Sequence, residues 1–121
     1  MATTELGKEL RRLRIDGDER LLDMAERIDK SPAFLSAVET GKKSPPAGFE
    51  ELVISAYRLV GEAAARLKRA ADLSRRSFTL EGDSSLQRDT FGLMARRMHT
   101  LSEDELNRIL SILKTGEGKD D

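Results

Sequence analysis

The sequence contains no cysteine and no tryptophan, and it has one tyrosine, four phenylalanines and a single histidine, His99. Without cysteine there is no disulfide framework, and one histidine cannot supply the His/Cys cluster of a zinc site, so no metal and no other cofactor is expected. No stretch approaches the roughly 18 apolar residues of a membrane span. The opening MATTELGKELRR has no apolar run behind its basic residues and no small-residue cleavage site, which makes a cytoplasmic protein with no membrane partner the expectation. A Gly-rich phosphate loop is missing, and His99 stands alone between Met98 and Thr100 with no nucleophile or acid at catalytic spacing, so the chain reads as non-enzymatic. An excess of one charge is missing too. Lys and Arg number 21 against 22 Asp and Glu, and the first 60 residues hold ten against eleven, so no basic domain advertises a nucleic-acid partner.

What is abundant is charge of both signs. With 36% charged and 4% aromatic residues, the 121-residue chain suits a mainly helical protein with small cores and solvated faces, one compact domain with an appendage.

The most informative stretch is Leu21 to Gly41, LLDMAERIDKSPAFLSAVETG. Met24, Ala25 and Ile28 form the inner stripe of one short helix, and Leu35 and Val38 that of a second. Ser31 followed by Pro32 is a start signal, because the serine oxygen accepts from free amides and proline fits the first helical position. Gly41 supplies a left-handed stop. A helix, a tight turn and a second helix form a shape whose second member can enter a DNA major groove.

At these residues the chain resembles the Cro-like and XRE-type helix-turn-helix repressors of phages and bacteria. The resemblance is carried by Ala25 and by Ser31, Leu35, Ser36, Val38, Glu39 and Gly41, and it continues through Leu6, Leu10, Leu13 and Arg14 before the motif and Phe49 to Val60 after it. It implies an all-α fold: a lambda-repressor-like helix-turn-helix bundle over residues 1–60, and a C-terminal helical hairpin that dimerises. It also implies a sequence-specific repressor of prophage or bacterial origin that binds double-stranded operator DNA as a homodimer, released by a small signal or an antirepressor protein. The chain departs from the family where a glutamine usually opens the first motif helix, here Leu21, and in the turn, where Asp29 and Lys30 replace a glycine and an apolar residue. The base-reading positions fall on Pro32, Ala33, Ser36 and Ala37, of which only Ser36 hydrogen-bonds through its side chain. Specificity should therefore lean on DNA shape and on phosphate contacts. The expected DNA-binding set is Lys30, Ser31, Pro32, Ala33, Ser36, Ala37, Thr40, Lys42, Lys43 and Ser44.

Around the motif, Leu6, Leu10 and Leu13 follow helical spacing from about Thr4 to Ile15, with Thr3 or Thr4 as cap. Lys8, Arg11, Arg12 and Arg14 occupy the other face, either solvated or near phosphate. Phe34 is expected at the edge of the core. KKSPPA ends the motif, and Phe49, Leu52, Val53, Ala56, Tyr57 and Val60 form a further amphipathic helix. Residues 61–82 read as a connecting helix, with Ala63, Leu67, Ala70 and Ala71 inward and Arg66, Lys68, Arg69, Arg75 and Arg76 as a basic cluster, followed by a short strand or linker at SFTLE. That segment alternates polar and apolar residues and would have to pair with a second copy.

Residues 83–115 form the hairpin. Phe91, Met94, Ala95 and Met98 line one helix; Leu106, Ile109, Leu110 and Leu113 line the other, whose start carries a Ser102/Glu105 capping box. Gly116 should end it before a disordered tail over 116–121. The expected dimer interface is Phe78, Leu80, Phe91, Met94, Met98, Leu106, Ile109, Leu110 and Leu113. Two alternatives stay open: a DNA-binding antitoxin whose hairpin holds a toxin, and a protein-interaction module of the same fold without DNA binding.

Overall fold

Four helix starts are written into the local sequence as hydroxyl caps. The Thr4 hydroxyl accepts from the Gly7 amide at 3.0 Å, Ser31 from Phe34 at 3.0 Å, Ser84 from Gln87 at 3.1 Å, and Ser102 from Glu105 at 3.2 Å, with Glu105 accepting in return from the Ser102 amide at 2.9 Å. The computed structural model describes residues 3–119. Its helices are α1 (Glu5–Asp16), α2 (Leu21–Arg27), α3 (Pro32–Glu39), α4 (Phe49–Tyr57), α5 (Gly61–Leu73), α6 (Ser85–Arg97) and α7 (Glu103–Lys119), with a 3-10 turn at Met98–Thr100. The protein is all-α, and among the described residues there is no strand.

The chain divides into two compact units, residues 1–78 and 79–121. In the first, α1 packs on α3 and α5, α2 on α3, and α4 on α5. The core between them is formed by Leu6, Leu10, Met24, Ala25, Ile28, Leu35, Val38, Phe49, Val53, Leu67, Ala70 and Ala71, so the stripes read from the spacing do face inward. Phe34 sits at the core's edge, its ring centroid 6.1 Å from that of Phe49.

Helices α1 and α3 approach closely at Gly7 and Glu39. The Thr4 amide and hydroxyl both donate to the Glu39 carbonyl, at 3.0 and 3.1 Å. A side chain at Gly7 would collide with that same carbonyl. Below it, Arg14 grips the Glu39 carboxylate through both guanidinium ends, with Nη2 to Oε1 at 3.0 Å, and its Nη1 also lies 3.3 Å from the Met24 sulfur. Both side chains are buried. Arg14 therefore belongs to the interior and not to a solvated or phosphate-facing surface.

Three helix ends share one device. After α1 the amides of Asp18 and Glu19 reach back to Ile15 and Arg14; after α2 those of Asp29 and Lys30 reach Glu26 and Ala25; after α4 those of Arg58 and Leu59 reach Ser55 and Ile54. This is the paired 5→2 and 6→1 pattern that closes a helix with one left-handed residue. That residue is Asp18, Asp29 or Arg58, at φ 54°, 56° and 53°, and never glycine.

Several expectations need correction. Helix α4 stops at Tyr57, not at Val60, because Arg58 turns left-handed; Val60 is exposed and precedes α5. The first unit does not end near residue 60, since α5 contributes Leu67, Ala70 and Ala71 to its core. SFTLE is not a strand: residues 77–81 are irregular and exposed, with no chain segment to satisfy them. Helix α7 runs through Gly116 to Lys119, because Gly116 keeps a negative φ and a helical glycine costs only about 1 kcal/mol. The tail expected over 116–121 is thus helical as far as Lys119, and its last two residues lie outside the described ones.

The buried pair makes a prediction. Arg14→Met leaves the Glu39 carboxylate buried with only Arg11 near it, at 3.7 Å, and should lower unfolding free energy by about 3 kcal/mol in a urea titration; a loss below about 1 kcal/mol would remove the pair from its structural role.

Candidate nucleic-acid interface

Helix α3 has two unlike sides. Leu35, Val38 and Glu39 face the interior, whereas Ala33 and Ser36 are exposed and Ala37 and Thr40 half-buried. Positions 33, 36, 37 and 40 share one helical face by the i, i+3, i+4, i+7 rule. That face is smooth and nearly apolar, with Ser36 its one free side-chain donor, since the Thr40 hydroxyl donates to the Ser36 carbonyl at 2.9 Å.

Charge is arranged at the borders of this face. Lys30, in the turn before α3, holds its ammonium 5.7 Å from the Phe34 ring centroid, and Lys43, beyond the helix, holds its own 5.4 Å from the same ring. The return of Lys43 follows from the loop: Gly41 takes φ 79°, and the Lys43 amide then donates to the Ala37 carbonyl at 3.1 Å, folding the chain back along α3. One aromatic ring thus gathers two ammonium groups, each drawn by the ring face. Lys42 and Ser44 are exposed beside them, and Ser31 and Pro32 are exposed at the helix start. All ten residues of the expected DNA-binding set therefore lie in one continuous stretch and all are at least partly accessible.

The departure at Asp29 leaves the turn's geometry intact, because Asp29 adopts the left-handed φ that a glycine would supply. The departure at Leu21 is not compensated in kind. Its neighbour Arg20 is exposed, but its guanidinium is engaged with Asp23, whose carboxyl it holds below the ordinary carboxylate range. A crevice lined by Arg20, Leu22, Glu26, Lys30 and Pro32 opens there.

The other basic surfaces are mostly spoken for. On α1, Lys8 pairs with Glu5 and Arg12 with Glu9, while Arg11 lies 3.7 Å from Glu39. In the basic cluster after residue 60, Arg66 meets Glu9 and Arg75 is locked between the chain after α3 and the Glu50 carboxylate, at 2.6 and 2.8 Å. Arg75 was grouped by charge with its neighbours, but the structure makes it a structural tie. Tyr57, Glu19 and Arg27 form a separate trio: the phenol donates to Glu19 at 2.8 Å, Arg27 meets Glu19 at 2.6 Å and stacks 4.5 Å over the ring, and burial pushes the phenol's pKa up. Among the described residues no cluster of His, Asp and Glu could hold a metal ion.

In the second unit no residue is buried among the described ones. Leu93, Met94, Met98, Leu101 and Ile109 line a groove between α6 and α7, and Leu86, Leu106, Leu110, Ile112 and Leu113 stand exposed. Of the expected interface, Phe91, Met94, Met98 and Ile109 are half-buried, and Phe78, Leu80, Leu106, Leu110 and Leu113 exposed; Leu86, Leu93 and Ile112 are exposed beside them. Among the described residues no helix is long and apolar enough to cross a membrane. No protein-family model, no curated protein and no solved structure matches this chain.

The Arg75–Glu50 tie carries a pH dependence. The guanidinium hydrogen bonds hold the Glu50 carboxyl below its ordinary value of 4.5, so its contribution is complete above that pH and is lost as pH falls through the lower folded value. Thermal melts from pH 6 down to pH 3 should show Glu50→Gln losing less stability than the parent; parallel curves would sink this assignment.

Proposed function

We propose that the chain is a transcriptional regulator of helix-turn-helix type, a repressor of prophage or bacterial origin that binds operator DNA as a homodimer in the cytoplasm. The observation that supports it best is the α3 surface: a helix held rigidly from behind by Arg14 and Thr4 offers a smooth outer face bordered by Lys30, Lys42 and Lys43. A smooth face suits close approach to a groove, and the lysines suit phosphates on either side. Ser36 is the residue to read a base edge; Ala33 and Ala37 make apolar contact, with thymine methyl groups as the natural complement. Ser31 and Ser44 add hydroxyl donors, and sequence preference comes largely from DNA shape.

The dimer is supported by the second unit. Helices α6 and α7 do not pack closely on one another, and among the described residues neither buries a side chain, so their apolar sides are left for a partner and their charges bear on whether it is a second copy. Helix α6 carries Arg88 and Asp89 early and Arg96 and Arg97 at its end, whereas α7 carries Glu103, Asp104 and Glu105 first and Arg108 and Lys114 later. A twofold axis that sets α7 antiparallel to its copy matches acid to base along that helix.

Mobility shift of the purified protein on DNA from upstream of its own gene, beside a scrambled duplex, tests the reading. Tight binding to the upstream DNA alone is expected; equal weak binding to both, or none, would favour an interaction module. Lys42→Ala with Lys43→Ala should weaken binding to every sequence and reduce the slope of log affinity against log salt by about 2. Leu110→Glu should convert the dimer to a monomer by sedimentation while leaving the melting of the first unit unchanged, and a dimer that survives it would place the interface elsewhere.

A further inference from the structure

Arg75 does more than steady the end of α5. Its Nε donates to the Pro45 carbonyl at 3.0 Å and its Nη2 to that of Pro46 at 2.8 Å, while both terminal nitrogens hold Glu50. The chain leaving α5 is thereby fastened against the chain leaving α3. The next residue, Arg76, is exposed, and among the described residues it has no acidic partner.

Arg76 lines a notch with Gly41, Ser44, Ser74 and Ser77. The lining contains three hydroxyls, one guanidinium and no carboxylate. Ser74 spends its hydroxyl proton on the Ala70 carbonyl at 3.0 Å, but among the described residues the Ser44 and Ser77 hydroxyls have no hydrogen-bond partner, nor does the Ser44 backbone amide. Free donors facing a positive fork, without a competing acid, suit a phosphate oxygen. The notch also begins at Gly41, one residue beyond the cap of α3.

We propose that this notch is a second phosphodiester-binding site, which takes a DNA backbone phosphate next to those held by Lys42 and Lys43. It rests on the DNA-binding reading above, and it assigns to the segment after α5 a contact that lies outside the helix-turn-helix. The charge balance agrees. Residues 1–60 hold ten Lys and Arg against eleven acids, whereas residues 1–78 hold fifteen against thirteen, so the basic segment that builds the notch reverses the sign of the first unit.

The test is a salt titration of binding to the upstream DNA by the full-length protein, Arg76→Ala, Arg76→Lys and the Ser44→Ala/Ser77→Ala pair, each checked by thermal melting. Arg76→Ala should reduce the slope of log affinity against log salt by about 0.9, and Arg76→Lys should restore it. The serine pair should weaken binding roughly tenfold with the slope unchanged, because it removes hydrogen bonds and no charge. An unchanged slope in Arg76→Ala, with the parent binding normally, would overturn the notch and leave the DNA-binding reading standing. A serine pair that binds like the parent would reduce Arg76 to diffuse charge and overturn the site as well. A parent protein that fails to bind at any salt would bring down the underlying reading first, and the notch with it.

Discussion

Glu39 ends α3, and both its carboxylate and its carbonyl are tied to α1, the one by Arg14 and the other by Thr4. A carboxylate buried this deeply is tolerated only because a bidentate guanidinium lies against it, and the two charges together cost more to separate than they gain over an apolar pair. What the pair adds is position. An apolar contact tolerates sliding, whereas two hydrogen bonds at one end of a side chain and two at its carbonyl fix the rotation of α3 about its axis. The face that carries Ala33, Ser36 and Ala37 therefore points outward in one orientation, which the proposed contact with DNA, made by so few polar side chains, would require.

The same logic recurs at lower stakes. Arg75 ties the end of α5 to the connector after α3, and Glu19 gathers Arg27 and Tyr57 between α1, α2 and α4. Each tie joins segments far apart in sequence, and among the described residues no buried side-chain nitrogen or oxygen lacks a partner. A core of twelve mostly small or medium side chains leaves room for such devices, which take up a few of the chain's many charges.

These ties also mark where the sequence stopped being legible. Local rules worked wherever their cause is local: Thr4, Ser31 and Ser102 were recognisable as caps, Gly41 as a left-handed stop, and the stripes of α1 to α3 as core, because each depends on residues within one or two turns. Arg14 looked like one of four basic residues on a helix face, and Arg75 like one of five in a cluster. Nothing in their spacing foretells Glu39 or Glu50, each 25 residues away. The end of α4 was missed for another reason: the left-handed position fell to Arg58, a residue with no preference for it, and Leu59 turned back toward the core supplies what a glycine would otherwise give. Of the two readings of SFTLE, strand or linker, the linker holds: alternation alone makes no strand where no neighbouring chain is there to pair with it.

The two units differ in how they satisfy their apolar surface, and this decides how function divides between them. In the first, five helices bury twelve side chains against one another and leave outward a face of small residues with lysines at its borders. In the second, two helices have nothing to bury against, so Leu106, Leu110 and Leu113 stand in solvent. Leucines set at helical spacing along α7, after a capping box that fixes where the helix starts, are too ordered a pattern to be incidental to a solvated surface. Under the proposed function, a face that carries one free donor gains little from a single engagement. Two such faces joined through α6 and α7 in the proposed dimer would multiply their separate affinities through effective concentration, so the weakness of the face and the exposure of those helices answer one another.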